Sequence, residues 1–152
     1  MVSRSLTDNI ALRGAGARRG RVDWRRLRSE TRQMIGEFDI RPADAGAPLG
    51  ALSGGNQQRI VLGRELAVAR ETRATAGLVV ENPARGLDVR ATAFVHMRLL
   101  DAAANGTAVV FYSSDLDEVL ALATRLFVVF AGAVREVALD RDDAGRALLG
   151  LS

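Results

Sequence analysis

Two short, unbroken apolar runs constrain this chain more than any other feature: Leu78-Val79-Val80, within Gly77 to Glu81, and Val109-Val110-Phe111, within Thr107 to Tyr112. Each is too short for a helix and continuous rather than alternating, which reads as a strand buried on both faces. Between them, Asn82-Pro83 stops the first run, Asp88 opens a helical segment and Asn105-Gly106 ends it near Ala104. Its expected apolar stripe is Phe94, Met97 and Leu100. Beyond Tyr112, Asp115 opens a short helix carrying Leu116, Val119 and Leu120. Arg125 to Ala131 and Ala133 to Val137 read as strands joined across Gly132, and a last helix spans Asp140 to Leu149. Strand, helix, strand with short links predicts an α/β core with a mostly parallel sheet.

The front of the chain reads differently. Residues 1–23 are rich in Gly, Ala and Arg without a sustained period and are expected to be loosely ordered. Trp24 to Phe38 has Trp24, Leu27, Met34, Ile35 and Phe38 at mostly helical spacing. Arg41 to Leu52 holds Pro42, Gly46, Pro48 and Gly50 and reads as a loop. Ser53 can cap a helix to about Ala69, with Ile60, Leu62, Leu66 and Ala69 as its apolar side. The division expected is a helical part over 1–76 and an α/β part over 77–152.

Composition narrows the chemistry. No cysteine means no disulfide framework, and a single histidine, His96, cannot build a zinc site and is expected to be structural. All 21 basic residues are arginine, so the chain offers no Schiff-base lysine and no phosphate-loop lysine. The longest apolar stretch, Leu126 to Val134, falls short of the roughly 20 residues that span a bilayer. The polar start, Met1 to Asn9, lacks a signal-peptide core, and a soluble intracellular chain is expected.

Leu52-Ser53-Gly54-Gly55-Asn56-Gln57-Gln58-Arg59 sits where the loop turns into a helix. Two glycines there let backbone N–H groups approach an anion without Cβ interference, the helix terminus adds partial positive charge, and Ser53 adds a hydroxyl donor. Downstream follow Glu81-Asn82-Pro83 at the end of the first strand, Arg85-Gly86-Leu87-Asp88, and Ser113-Ser114-Asp115 after the second strand. In this order the motifs resemble the C-terminal part of an ATP-binding cassette domain. Leu52 to Gln58 matches the signature motif, Leu78 to Pro83 the Walker B strand, Ala84 to Asp88 the D-loop region, and Ser113-Ser114 the switch turn. The spelling resembles the second cassette of importer ATPases for sugars or nucleosides.

The resemblance implies a truncated P-loop NTPase core preceded by a helical subdomain, the trailing half of a cassette without Walker A. It places Ser53, Gly54, Gly55 and Gln57 at a nucleotide, Glu81 at the magnesium position and Asp88 at a subunit interface. Asn82 stands where the family has its catalytic glutamate and cannot accept a proton, and Ser114 replaces the switch histidine, so the chain's own half-site reads as degenerate. Losing a general base costs about 10²–10⁴ in rate. Cassettes pair head to tail, so ATP and Mg are expected only in a composite site. The partners implied are a Walker A-bearing cassette and transmembrane permease subunits, and the implied location is peripheral, on the cytoplasmic face of the membrane. No specific nucleic acid is expected.

Other clusters read structurally. Asp115, Asp117 and Glu118 serve a helix start, as do Asp140, Asp142 and Asp143. Arg13, Arg18, Arg19, Arg21, Arg25, Arg26, Arg28 and Arg32 crowd the front of the chain. Read as function they are a patch for nucleic acid or acidic lipid headgroups, but the solvated face of the helical part is the favoured reading. The alternative function is a non-catalytic interaction module that binds partner subunits or polyanions. A chain lacking flanking strands is also expected to expose sheet edges.

Overall fold

The structure is a computed structural model that describes residues 2–13, 20–71 and 77–151, with burial left undescribed for 68–71. Arg18, Arg19 and the burial of Ala69 therefore lie outside the described residues. In chain order the elements are α1 (Leu6–Ala11), α2 (Trp24–Glu37), a 3-10 turn (Leu49–Ala51), α3 (Gly54–Glu71), β1 (Gly77–Glu81), α4 (Val89–Ala104), β2 (Ala108–Tyr112), α5 (Leu116–Leu122), β3 (Leu126–Phe130), β4 (Ala133–Val137) and α6 (Arg141–Leu148). The chain divides into two compact units, Met1–Val110 and Phe111–Ser152. None of the described helices is long and apolar enough to cross a membrane.

The core of the first unit joins Leu6 and Ile10 of α1, Leu27, Met34 and Ile35 of α2, and Ile60, Leu62 and Leu66 of α3 to Leu78 of β1 and Val95 and Leu99 of α4. Within residues 1–23, expected to be loosely ordered, the described Leu6–Ala11 forms a helix; residues 14–19 lie outside the described residues. Ser5 and Asp8 form a reciprocal capping box that starts α1, whose Leu6 and Ile10 are fully buried. The Leu6 and Thr7 N–H groups donate to the Ala47 and Ala45 carbonyls, so the Arg41–Leu52 loop and α1 hold each other. Helix α2 begins after Asp23, whose carboxylate accepts from the Arg26 N–H (3.0 Å). Trp24 is not core: it stands on the first turn, 45% exposed.

β1 and β2 form a parallel pair crossed by α4, as an α/β core requires. They are not buried on both faces. Leu78 is covered, whereas Val79 is 81% and Val110 63% exposed, because the described residues supply only one covering layer. The stripe of α4 is also displaced. Ala91, Val95 and Leu99 are buried while Met97 and Leu100 are exposed, since the covered side follows the i, i+4, i+8 row that meets the helical core. Phe94 is half-buried, its ring edge-on to Phe38 at 5.8 Å.

The same corner holds two arginines. Arg59 of α3 stacks on Phe94 (4.5 Å) and donates to the carbonyls of Phe38 and Asp39, at 3.2 and 2.8 Å. Arg98 of α4 stacks on Phe38 (4.7 Å) and donates to the Glu37 carbonyl at 2.6 Å. Two guanidinium forks thus satisfy the orphan carbonyls at the end of α2. Gly63 lies on the same seam: a Cβ there would stand 3.0 Å from Met34 Sδ and 3.2 Å from Phe38 Cε2.

In the second unit the strands do not extend a parallel sheet. β3 and β4 pair antiparallel, from Leu126 opposite Val137 to Phe130 opposite Ala133. Ala131 and Gly132 take the positive φ values of 48° and 79° that a two-residue hairpin turn needs. Leu126 and Val128 are buried, whereas Phe127, Val129 and Phe130 face outward. Asp115 and Asp140 cap α5 and α6 through Oδ1, as their spacing predicts. Glu118 lies in the first turn of α5, as expected. It is buried and accepts a short hydrogen bond from Ser113 Oγ, so it anchors the turn rather than facing water.

Candidate functional site

The loop-to-helix junction comes first in the chain. Leu52 is buried at 4% exposure and anchors the approach, after which Ser53 and Gly54 are exposed and Gly55 half-buried. Ser53 Oγ accepts from Asn56 Nδ2 at 3.0 Å and, at the long limit of 3.5 Å, from the Asn56 N–H. Among the described residues no acceptor takes the N–H groups of Gly54 and Gly55. These are orphan donors of the α3 N-terminus, directed outward where the helix dipole is positive. A Cβ on Gly54 would meet nothing within 4 Å; one on Gly55 would meet Ala91 Cβ at 3.4 Å and Leu87 Cδ2 at 3.8 Å. The start of α3 therefore rests against the start of α4.

The next side chains brace the junction. Gln57 Nε2 donates back to the Leu52 carbonyl at 2.9 Å, so its amide holds the loop. Gln58 Nε2 donates to the Pro83 carbonyl at 2.9 Å and ties α3 to the turn after β1. The Arg41 N–H donates to Asn56 Oδ1 at 3.1 Å. Sequence reasoning did not anticipate the roles of Asn56 and Gln58, because both partners lie far away in the chain and leave no periodic signal.

Glu81 ends β1 with an exposed carboxylate. Asn82 follows at φ 45°, its carbonyl accepting from the Arg85 N–H at 3.1 Å, and Pro83 is fully buried. The turn closes with the Leu87 N–H donating to the Ala84 carbonyl (3.1 Å) and reaches Asp88, whose Oδ1 accepts from the Ala91 N–H at 2.8 Å. Asp88 is therefore both exposed and the N-cap of α4, and Ala91 is the residue nearest a Cβ on Gly55. In the first unit the structure thus brings Ser53, Gly54 and Gly55 beside the helix that Asp88 caps. Ser113 and Ser114 belong to the second unit, where Ser113 is held by Glu118 and by the Asp115 N–H.

Chemically, the junction offers neutral donors to an anion. A lone carboxylate at Glu81 is one ligand, and the described residues contain no group of three acidic, histidine or cysteine side chains that could hold a metal. Mg²⁺ demands near-octahedral oxygen coordination and keeps water and phosphate in its shell. Glu81 fits that ion as one ligand beside a nucleotide and its waters, and not as a metal site in its own right.

No family model matches the chain. Among curated proteins it is 34% identical over 137 residues to the nucleoside import ATP-binding protein NupA of Lactococcus lactis, a match covering 88% of this chain and 26% of that protein. It is 37% identical over 136 residues to a ribose import ATP-binding protein, RbsA 2, of Streptomyces avermitilis, covering 88% and 26%. The chain spans about a quarter of the length of these relatives. Among solved structures it matches a dimeric ATP-binding cassette in a post-hydrolysis state, bound to ADP and Pi, with a TM-score of 0.72 at 21% identity, covering 93% of this chain and 59% of that one. Sequence and fold agree: this chain is a relative of the ATP-binding cassette proteins of sugar and nucleoside import, matching a part of them over most of its own length.

Proposed function

We propose that this chain is part of the ATP-binding subunit of an importer for sugars or nucleosides, and that it lends Ser53, Gly54 and Gly55 to the terminal phosphate of an ATP held on another cassette's P-loop. The observation that carries this reading is the pair of unengaged amides on exposed Gly54 and half-buried Gly55, next to a hydroxyl and beside the Asp88-capped start of α4. The absence of lysine from all 152 residues means that the P-loop they complement is built from other residues than these. In this reading the helical part over 1–76 presents the phosphate donors, and the part over 77–152 supplies Glu81 as the magnesium-side carboxylate and Asp88 as the interface residue. Gln57 holds the Leu52 carbonyl and so keeps the donor loop in shape. Asn82, uncharged, and Ser114, without a titratable ring, leave the chain's own half-site without a general base. Bound ATP with Mg²⁺ would supply the phosphoanhydride chemistry, and the chain's residues would orient and stabilise the terminal phosphate. The subunit would work with transmembrane permease components at the cytoplasmic face of the membrane.

A single helix terminus offers about 1 kcal/mol to an anion, whereas even millimolar affinity needs about 4 kcal/mol. The purified chain should therefore neither bind nor hydrolyse ATP measurably. Mixed with a P-loop-bearing importer cassette, it should raise that cassette's hydrolysis rate, and Ser53→Ala should reduce the gain. ATP turnover by the chain alone, or a gain indifferent to Ser53, would reject the reading.

A further inference from the structure

Part of the arginine cluster at the front of the chain forms a row that the proposed ATP chemistry does not use. With successive helical residues turned by about 100°, Arg25, Arg28 and Arg32 of α2 lie within about 60° of arc and span about 10 Å of axis. All three are exposed, and among the described residues none has an acidic partner. The two glutamates of α2 lie on another side and are engaged: Glu30 with Arg26 (2.7 Å) and Arg13 (3.7 Å), and Glu37 with Arg98 (3.6 Å). The third side, Leu27, Thr31, Met34 and Ile35, is buried, so the helix cannot roll and the arginine row faces outward. Trp24, the chain's only tryptophan, borders the row one turn before Arg28 and is 45% exposed.

We infer that the Arg25–Arg28–Arg32 row with Trp24 is a docking surface for the anionic headgroups of a lipid bilayer. The inference rests on the reading that this chain works at a membrane face. A straight row of cations without counter-charges suits a flat anionic surface, and an amphipathic indole at its edge suits headgroup depth. Cytoplasmic loops of membrane proteins carry an excess of Lys and Arg, so they would repel the row where an anionic leaflet attracts it. Nucleic acid is the poorer complement, because three cations and one ring provide few phosphate contacts and no stacking platform.

The test uses the full chain with vesicles of phosphatidylcholine alone or mixed with phosphatidylglycerol, read by flotation and by Trp24 fluorescence. Binding is expected to the anionic vesicles only, with a blue shift of Trp24, and it should fade as salt shortens the screening length from about 10 Å at 0.1 M to about 3 Å at 1 M. The triple variant Arg25→Gln, Arg28→Gln, Arg32→Gln should lose on the order of a hundredfold in partitioning. A control triple, Arg90→Gln, Arg135→Gln, Arg146→Gln, removes the same charge from exposed sites elsewhere and should keep most of the binding. Circular dichroism confirms that both triples fold. Equal binding to neutral vesicles, equal loss in both triples, absence of binding, or tighter binding to a single-stranded oligonucleotide would each overturn the inference. None of these results bears on the Ser53 test, so a failure of the docking surface is distinguishable from a failure of the proposed function.

Discussion

Replacing Gly54 by alanine separates what the fold needs from what a ligand needs. Gly54 opens α3 with ordinary helical φ, and a Cβ built on it meets nothing within 4 Å. Alanine therefore fits without a clash and restricts the unfolded chain more than glycine does. In a helix interior the exchange is worth about 0.5–1 kcal/mol in favour of alanine, and the first turn takes the lower end. In a unit of this size, a gain of about 0.5 kcal/mol raises the melting temperature by about 2–4 °C. The same methyl projects into the space that an incoming phosphate would occupy before the two free amides. Gly54→Ala should thus melt slightly higher by circular dichroism while stimulating a P-loop-bearing cassette less than the parent chain. A variant destabilised by more than about 1 kcal/mol would show that the glycine serves the fold. Full stimulation with unchanged stability would show that nothing approaches those amides.

Three further outcomes test the packing and the surface. Gly63→Val should destabilise by about 1–3 kcal/mol in urea titrations, because its methyls enter the space of Met34 and Phe38, already 3.0–3.2 Å from a single Cβ. Val79→Thr with Val110→Thr should reduce concentration-dependent association in sedimentation velocity without lowering stability, since both side chains are mostly exposed on an uncovered strand face. In the hairpin, the hydrogen bond from Arg125 holds the Glu136 carboxyl below the ordinary glutamate range. Its folded-state value is depressed, so its contribution is present above the unfolded pKa and is lost as pH falls through the folded one. The Glu136 side-chain NMR titration should have a low midpoint that returns toward the ordinary range in Arg125→Gln.

Elements with strong punctuation were legible in the sequence. Asn82-Pro83, Asn105-Gly106 and Ala131-Gly132 bound β1, α4 and the hairpin, and Asp88, Asp115 and Asp140 start helices where an acceptor is needed. α1 escaped because six residues cannot display a helical period, and only the Ser5–Asp8 box marks it. The faces of α4 and of the two apolar runs were misjudged for one reason: apolar residues show what can be buried, and the covering layer decides what is. Met97, Leu100, Val79 and Val110 are apolar and uncovered. At the candidate site Ser53, Gly54 and Gly55 could be read from the turn chemistry. The braces made by Asn56 to Arg41 and Gln58 to Pro83 depend on the tertiary fold and could not.

What lies opposite Ser53 when ATP is bound decides whether this glycine turn completes another cassette's site. The chain has no cysteine, so Ser53→Cys introduces a single thiol that can be paired with one placed beside the P-loop of an importer cassette. Disulfide formation requires the two Cα atoms to come within about 7 Å. ATP-dependent cross-linking at Ser53→Cys, and none at a control Arg135→Cys, is the predicted result. Cross-linking that ignores ATP, or that is no better at Ser53 than at Arg135, would contradict the claim that this glycine turn closes over another cassette's nucleotide.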